Sequence, residues 1–141
     1  MKKVGSLASA LKKYSEMNAS VRVGVLESAT YPDGTPVAMV AFWNEYGTKT
    51  SPVRAFFRTT VSDQKKNWVL SVQNLMKMHD DPKKVMGLIG EHMRGQIVQS
   101  INTWTDPPNA PYTVRMKGFQ KPLVDSGQLM RSISFEVNDD E

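Results

Sequence analysis

Asp81–Ile101, DPKKVMGLIGEHMRGQIVQSI, is the stretch on which the fold class turns. Asp81 stands where an N-cap carboxylate can accept from free backbone N–H groups, and Pro82 follows at the first helical position, where its missing N–H costs nothing. Val85, Leu88, Ile89, His92, Met93, Ile97 and Ile101 then recur at intervals of three and four, which predicts a long helix with one apolar stripe. Gly87, Gly90 and Gly95 interrupt it, each at a cost of about 1 kcal/mol relative to alanine. Three such losses in one helix imply that a large neighbour, a second helix or another subunit, packs against them.

On the N-terminal side, Val61, Trp68, Val69, Val72, Leu75 and Met76 predict a second long helix that frays by His79-Asp80, with a gap in its apolar face near Lys65. Ala55-Phe56-Phe57 before it reads as a short strand or as the start of that helix. Pro36 opens a helix carrying Val37, Val40, Ala41 and Asn44, and Gly47 stops it. The Tyr31–Thr35 cluster is a turn. Val21–Leu26 alternates as a strand does, and Val4, Leu7, Ala8, Leu11 and Tyr14 predict a short amphipathic helix. On the C-terminal side the prolines of Thr105–Pro111 exclude helix and central strand. Tyr112–Phe119 reads as a brief strand or a mobile piece, and Asp125 or Ser126 caps a short helix running through Arg131. Ser132–Val137 alternates again.

These elements define an α+β fold: a small, mainly antiparallel sheet from Val21–Leu26 and Ser132–Val137, with Val53–Phe57 or Val114–Phe119 as candidates for a further strand, and two long helices packed on one face. At 141 residues one domain is expected over 1–141, able to bury roughly two-thirds of its unfolded surface. Within it, residues 1–18 read as a helical arm, 105–121 as an extended loop and 138–141 as an acidic tail. The absence of cysteine excludes disulfides and thiolate zinc sites. No apolar run approaches the roughly 20 residues of a membrane span, and Lys12 and Lys13 break the stretch that a signal peptide would need.

The 18 Lys+Arg against 14 Asp+Glu leave a mild net charge of +4. Most cations are scattered, but Lys49, Arg54, Arg58, Lys65 and Lys66 face only Asp63 and predict a local positive patch. Chemistry is sparse. His92 lies on an apolar stripe, as a core or interface histidine would, and His79 beside Asp80 complements a helix end. Ser126 at a helix start has no histidine beside it, and the helix glycines do not form a phosphate loop. No catalytic residue, cofactor or metal is expected, and the chain does not read as an enzyme.

Two punctuated segments remain: Asn44-Glu45-Tyr46-Gly47-Thr48 leading to Pro52-Val53-Arg54-Ala55-Phe56-Phe57, and Lys121-Pro122-Leu123-Val124-Asp125-Ser126-Gly127-Gln128-Leu129 followed by Ser132-Ile133. In this order, around a long helical middle, they resemble the tail-completion proteins of tailed bacteriophages, also described as neck or head–tail joining proteins. The resemblance runs from Val21 to Val137, with Tyr46 where Phe is more usual and Ser126 where Thr is. It implies a structural virion protein that assembles in the host cytoplasm as a homo-oligomeric ring. Similar proteins are commonly hexameric. The ring would sit at the neck or the head-proximal end of the tail, against other neck, connector, tail-tube or sheath proteins, with genomic DNA passing through and no membrane involved.

On this reading Tyr46, Gly47, Pro52, Phe56, Phe57, Leu123 and Gly127 have core or turn roles, while Glu45, Arg54 and Arg58 present contacts to a neighbour. Trp104, Tyr112 and Phe119 enrich the long loop in the aromatics that interface cores collect, so docking through that loop, with ordering only on assembly, is expected. The rival reading is a small basic protein that binds or contacts DNA through the Lys49–Lys66 patch.

Overall fold

The structure is a computed structural model describing residues 8, 18–26, 28–120, 122–123 and 127–139. Apart from Ala8, the predicted helix over 4–14 lies outside the described residues, as do the cap at Asp125 or Ser126 and the last two acidic residues. The chain runs β1 (Ala19–Gly24), α1 (Val37–Tyr46), α2 (Phe56–Met78), α3 (Pro82–Thr103), α4 (Pro111–Lys117), α5 (Gln128–Arg131) and β2 (Ser134–Asp139). This is an α+β fold, with β1 and β2 in one antiparallel sheet and the two long helices packed against it and each other.

α3 starts as its sequence dictates: Asp81 accepts from the Lys83 N–H at 3.0 Å, with Pro82 in the first turn. It serves two apolar clusters. Val85, Met86 and Ile89 pack with Trp68 and Met76 of α2, while Ile97 and Ile101 pack with Val37, Phe56, Leu123, Leu129 and Ile133. Gln96 joins the long helices by accepting from the Trp68 indole N–H and donating to Gln64 at 3.1 Å. The predicted stripes are too wide. Leu88 and His92 on α3 and Val69 on α2 are exposed, because each helix is covered over only part of its circumference.

The strands pair from Ala19↔Asp139 to Gly24↔Ser134, so both lie two residues from their expected positions, β1 earlier and β2 later. Opposed shifts preserve an antiparallel register, and Asn138 and Asp139 belong to the strand rather than to a tail. Val21 and Val137 face α3, while Arg22 and Glu136 pair on the other side. Neither candidate for a further strand is one: Phe56 begins α2, and Pro111–Lys117 is α4. The expected extended loop over 105–121 is therefore partly helical, with Pro111 in the first turn and Gly118 as the left-handed C-cap, its N–H bonded to the Val114 carbonyl at 2.7 Å.

Of the three α3 glycines only Gly90 has the large neighbour expected. A Cβ there would lie 2.5 Å from the Phe135 ring and 2.8 Å from Val21 Cγ2, so the missing side chain is what lets the sheet seat on the helix. Beside Gly87 and Gly95 no described atom comes within 4 Å. Gly90→Ala should therefore lower the unfolding free energy by roughly 1–3 kcal/mol, whereas Gly87→Ala should raise it by about 0.5–1 kcal/mol. Urea titration of both variants checks the contrast, and equal effects would mean that the sheet does not approach α3 at Gly90.

Candidate interaction surface

α2 begins without a cap of its own. Ala55 occupies the N-cap position and has no side-chain acceptor, so the first N–H groups of a long helix need a partner from elsewhere. Glu45, at the end of α1, supplies it. Its carboxylate accepts from the Phe57 N–H, from the Arg58 N–H at 3.4 Å and from Arg58 Nε at 3.0 Å. Arg58 also donates to the Glu45 carbonyl oxygen. These donors and the positive end of the α2 dipole account for a carboxylate that is 7% exposed.

The segment between the two helices is tied at each step. Gly47, with φ 75°, ends α1 and donates to the Trp43 carbonyl at 2.7 Å, and a Cβ there would press on Val53 and the Ser51 carbonyl. Thr48 Oγ1 accepts from the N–H groups of Thr50 and Ser51. The Arg54 N–H bonds to the Asn44 carbonyl at 2.6 Å, while its guanidinium donates to the carbonyls of Pro107 and Pro108 at 3.0 and 3.1 Å. Burial pushes that guanidinium below its ordinary pKa. The two bonds tie the proline segment to the start of α2.

Glu45 and Arg54, expected to present contacts to a neighbour, are thus buried within the single copy. Arg58 is half-exposed, paired with Glu45, and its guanidinium carbon lies 4.5 Å from the Tyr46 ring centroid. The predicted cationic patch accordingly loses Arg54, and Lys49, Lys65 and Lys66 are its exposed cations besides the paired Arg58. Trp104 packs partly against the core, and its indole N–H and the Asn109 amide nitrogen are buried with no hydrogen-bond partner among the described residues. Tyr112 and Phe119 are exposed, with Lys117 over the Phe119 ring at 5.0 Å.

What the sequence reading did not single out is the outer face of α1. Met39, Phe42, Trp43 and Tyr46 are each between 42% and 55% exposed, and Val53 extends the same surface past Gly47. The Phe42 and Tyr46 rings lie 4.7 Å apart, tilted, and at 55% exposure Tyr46 is a surface residue and not a core one. Their spacing, i, i+3, i+4, i+7, is the stripe that normally faces a core. Val37 and Ala41, with Glu45, occupy the inward side instead. The signal was present: a ten-residue helix with apolar residues all round needs cover on both sides.

Flanking the stripe are a cleft of about 550 Å³ shared by Tyr31, Asp33, Trp43 and Lys117, and an apolar groove of about 350 Å³ lined by Val25, Leu26, Phe42 and Phe57. Asp33 is held below the usual carboxylate range by the Thr35 N–H and hydroxyl. No three His, Cys, Asp or Glu side chains among the described residues come together as a metal site, and no described helix is long and apolar enough to cross a membrane. No family model matches the chain, and neither does any curated protein or solved structure.

Capping and ion pairing at Glu45 can be separated. Glu45→Ala leaves buried N–H donors without acceptors and should cost about 2–3 kcal/mol. Arg58→Ala removes only a half-exposed, solvent-screened partner and should cost under about 1 kcal/mol. Chemical denaturation of both variants reads the difference, and an equal loss would assign the stability to the ion pair.

Proposed function

We propose that this chain is a structural subunit of the tail-completion or neck type in a tailed-bacteriophage virion, which acts by associating with copies of itself into a ring where head and tail join. The observation that carries the reading is the outward face of α1. Its three aromatics and one methionine have no charged residue among them, because the one charge of the helix, Glu45, is turned inward. Such a face has the composition of an interface centre, rich in aromatics and methionine and poor in charge. It belongs to the segment in which the phage-like motifs begin, and those motifs account for its orientation through Glu45 and Gly47.

The function is binding geometry, with neck, connector or tail-tube components as further partners. Light scattering across a concentration series of the full chain should show a mass rising above that of one chain, with no added ligand. Duplex DNA in a second series, at low and at moderate salt, tests the rival reading. A single chain at every concentration, combined with a salt-sensitive shift on DNA, would replace the ring subunit with a DNA-binding protein.

A further inference from the structure

On the side of the long helix pair away from the sheet lies a hollow of about 330 Å³, lined by Ser71, Asn74 and Leu75 of α2 and Leu88, Ile89 and His92 of α3. Gly90 faces the sheet, and Leu88, two residues earlier, is turned about 200° round the helix from it. On the hollow's lining, Leu88 is 43% exposed. Its lining carries no Asp, Glu, Lys or Arg, which sets it apart from the cleft holding Asp33 and Lys117 and from the one holding Arg58 and Asp63. A stripe without charged side chains loses least by entering a hollow that has no Asp, Glu, Lys or Arg, since neither side then strips water from an unpaired carboxylate, ammonium or guanidinium.

Placement supports the same pairing. Glu45 ties α1 to the first turn of α2, whereas the hollow begins at Ser71, roughly 20 Å farther along that helix. Stripe and hollow therefore occupy opposite ends of one copy and are free to face different neighbours. Counting an aromatic side chain at about 200 Å², the stripe with Val53 exposes roughly 500 Å². That alone is more than half of the apolar share, about 900 Å², of a standard interface of about 1,600 Å².

We propose that the α1 stripe of one copy seats in the α2–α3 hollow of the next, as a helix laid in a groove with anchors at i, i+3, i+4 and i+7. This rests on the self-association reading and names the two surfaces that meet. Because they differ, the contact is head to tail, the kind that closes into a ring when its rotation allows.

Complementation tests it. Phe42→Asp spoils the stripe and Leu88→Asp the hollow, both at exposed positions, so circular dichroism melts should match the unaltered chain. Each variant alone should stay a single chain by light scattering where the unaltered protein associates. Their equimolar mixture should form two-chain particles, through the intact hollow of the first and the intact stripe of the second. Should either substitution unfold the chain, its lack of cysteine permits a second route. The double variant Phe42→Cys/Leu88→Cys should give a disulfide-linked ladder on oxidation, and neither single variant should link. An associating protein whose mass Phe42→Asp leaves unchanged, a mixture that stays single-chain, or a Phe42→Cys variant that links to itself would overturn this contact and leave self-association standing. An unaltered chain that is single at every concentration would overturn both.

Discussion

One buried carboxylate sets which way α1 faces. Glu45 lies against the first turn of α2, where it supplies the acceptor for the Phe57 and Arg58 N–H groups and they in turn compensate the carboxylate for its lost water. Given that anchor, the helical period places Ala41 and Val37, four and eight residues earlier, on the inward side as well, where both reach the core around Phe56. Met39, Phe42, Trp43 and Tyr46 are left with no direction except outward. The exposed stripe is thus a consequence of a capping requirement elsewhere in the chain. Surface and scaffold share one hydrogen-bonding constraint.

α3 gives the rest of the molecule its continuity. A two-stranded sheet is marginal by itself, and here it is supported by lying on α3 at Gly90, where the absent Cβ lets Phe135 and Val21 come down onto the helix. The same helix closes the Trp68 cluster near its start and the Phe56 cluster near its end. Loss of the sheet contact would therefore loosen both clusters. With the sheet occupying one side of α3 and α2 another, the side bearing Leu88 and His92 is left exposed among the described residues.

Where a residue acts through local backbone chemistry, the sequence was legible. Asp81-Pro82 starts α3, Gly47 stops α1, and the strand alternation around Val21, Val23 and Phe135 places both strands to within two residues. Pro111 and Gly118 bracket α4 by the same rules, and their signal was masked by the prolines before them. Roles that depend on distant partners were not legible. Nothing in the sequence near Glu45 says that it will cap a helix beginning eleven residues later, and nothing near Arg54 says that its guanidinium will find the carbonyls of Pro107 and Pro108. Charged residues in a motif suggest contact with a neighbour, and here the nearest neighbour is the chain itself. The α1 stripe was hidden for a different reason: periodicity shows that a helix has apolar faces and leaves open which of two faces the fold will cover.

Exposed apolar surface is usually a hazard, because unpaired patches draw copies into open-ended association. Under the proposed head-to-tail contact, two different patches would contain the hazard. In an open head-to-tail chain, one stripe and one hollow stay uncovered at the ends, however many copies join. Closure covers both at once, and the closing contact forms between ends already held near each other, so it avoids the loss of translational freedom that each earlier contact incurred. A single contact can then be weak while the closed assembly is stable. The mildly positive net charge of each copy would work in the same direction, since it opposes unspecific collapse without placing an Asp, Glu, Lys or Arg on either of the two surfaces proposed to meet.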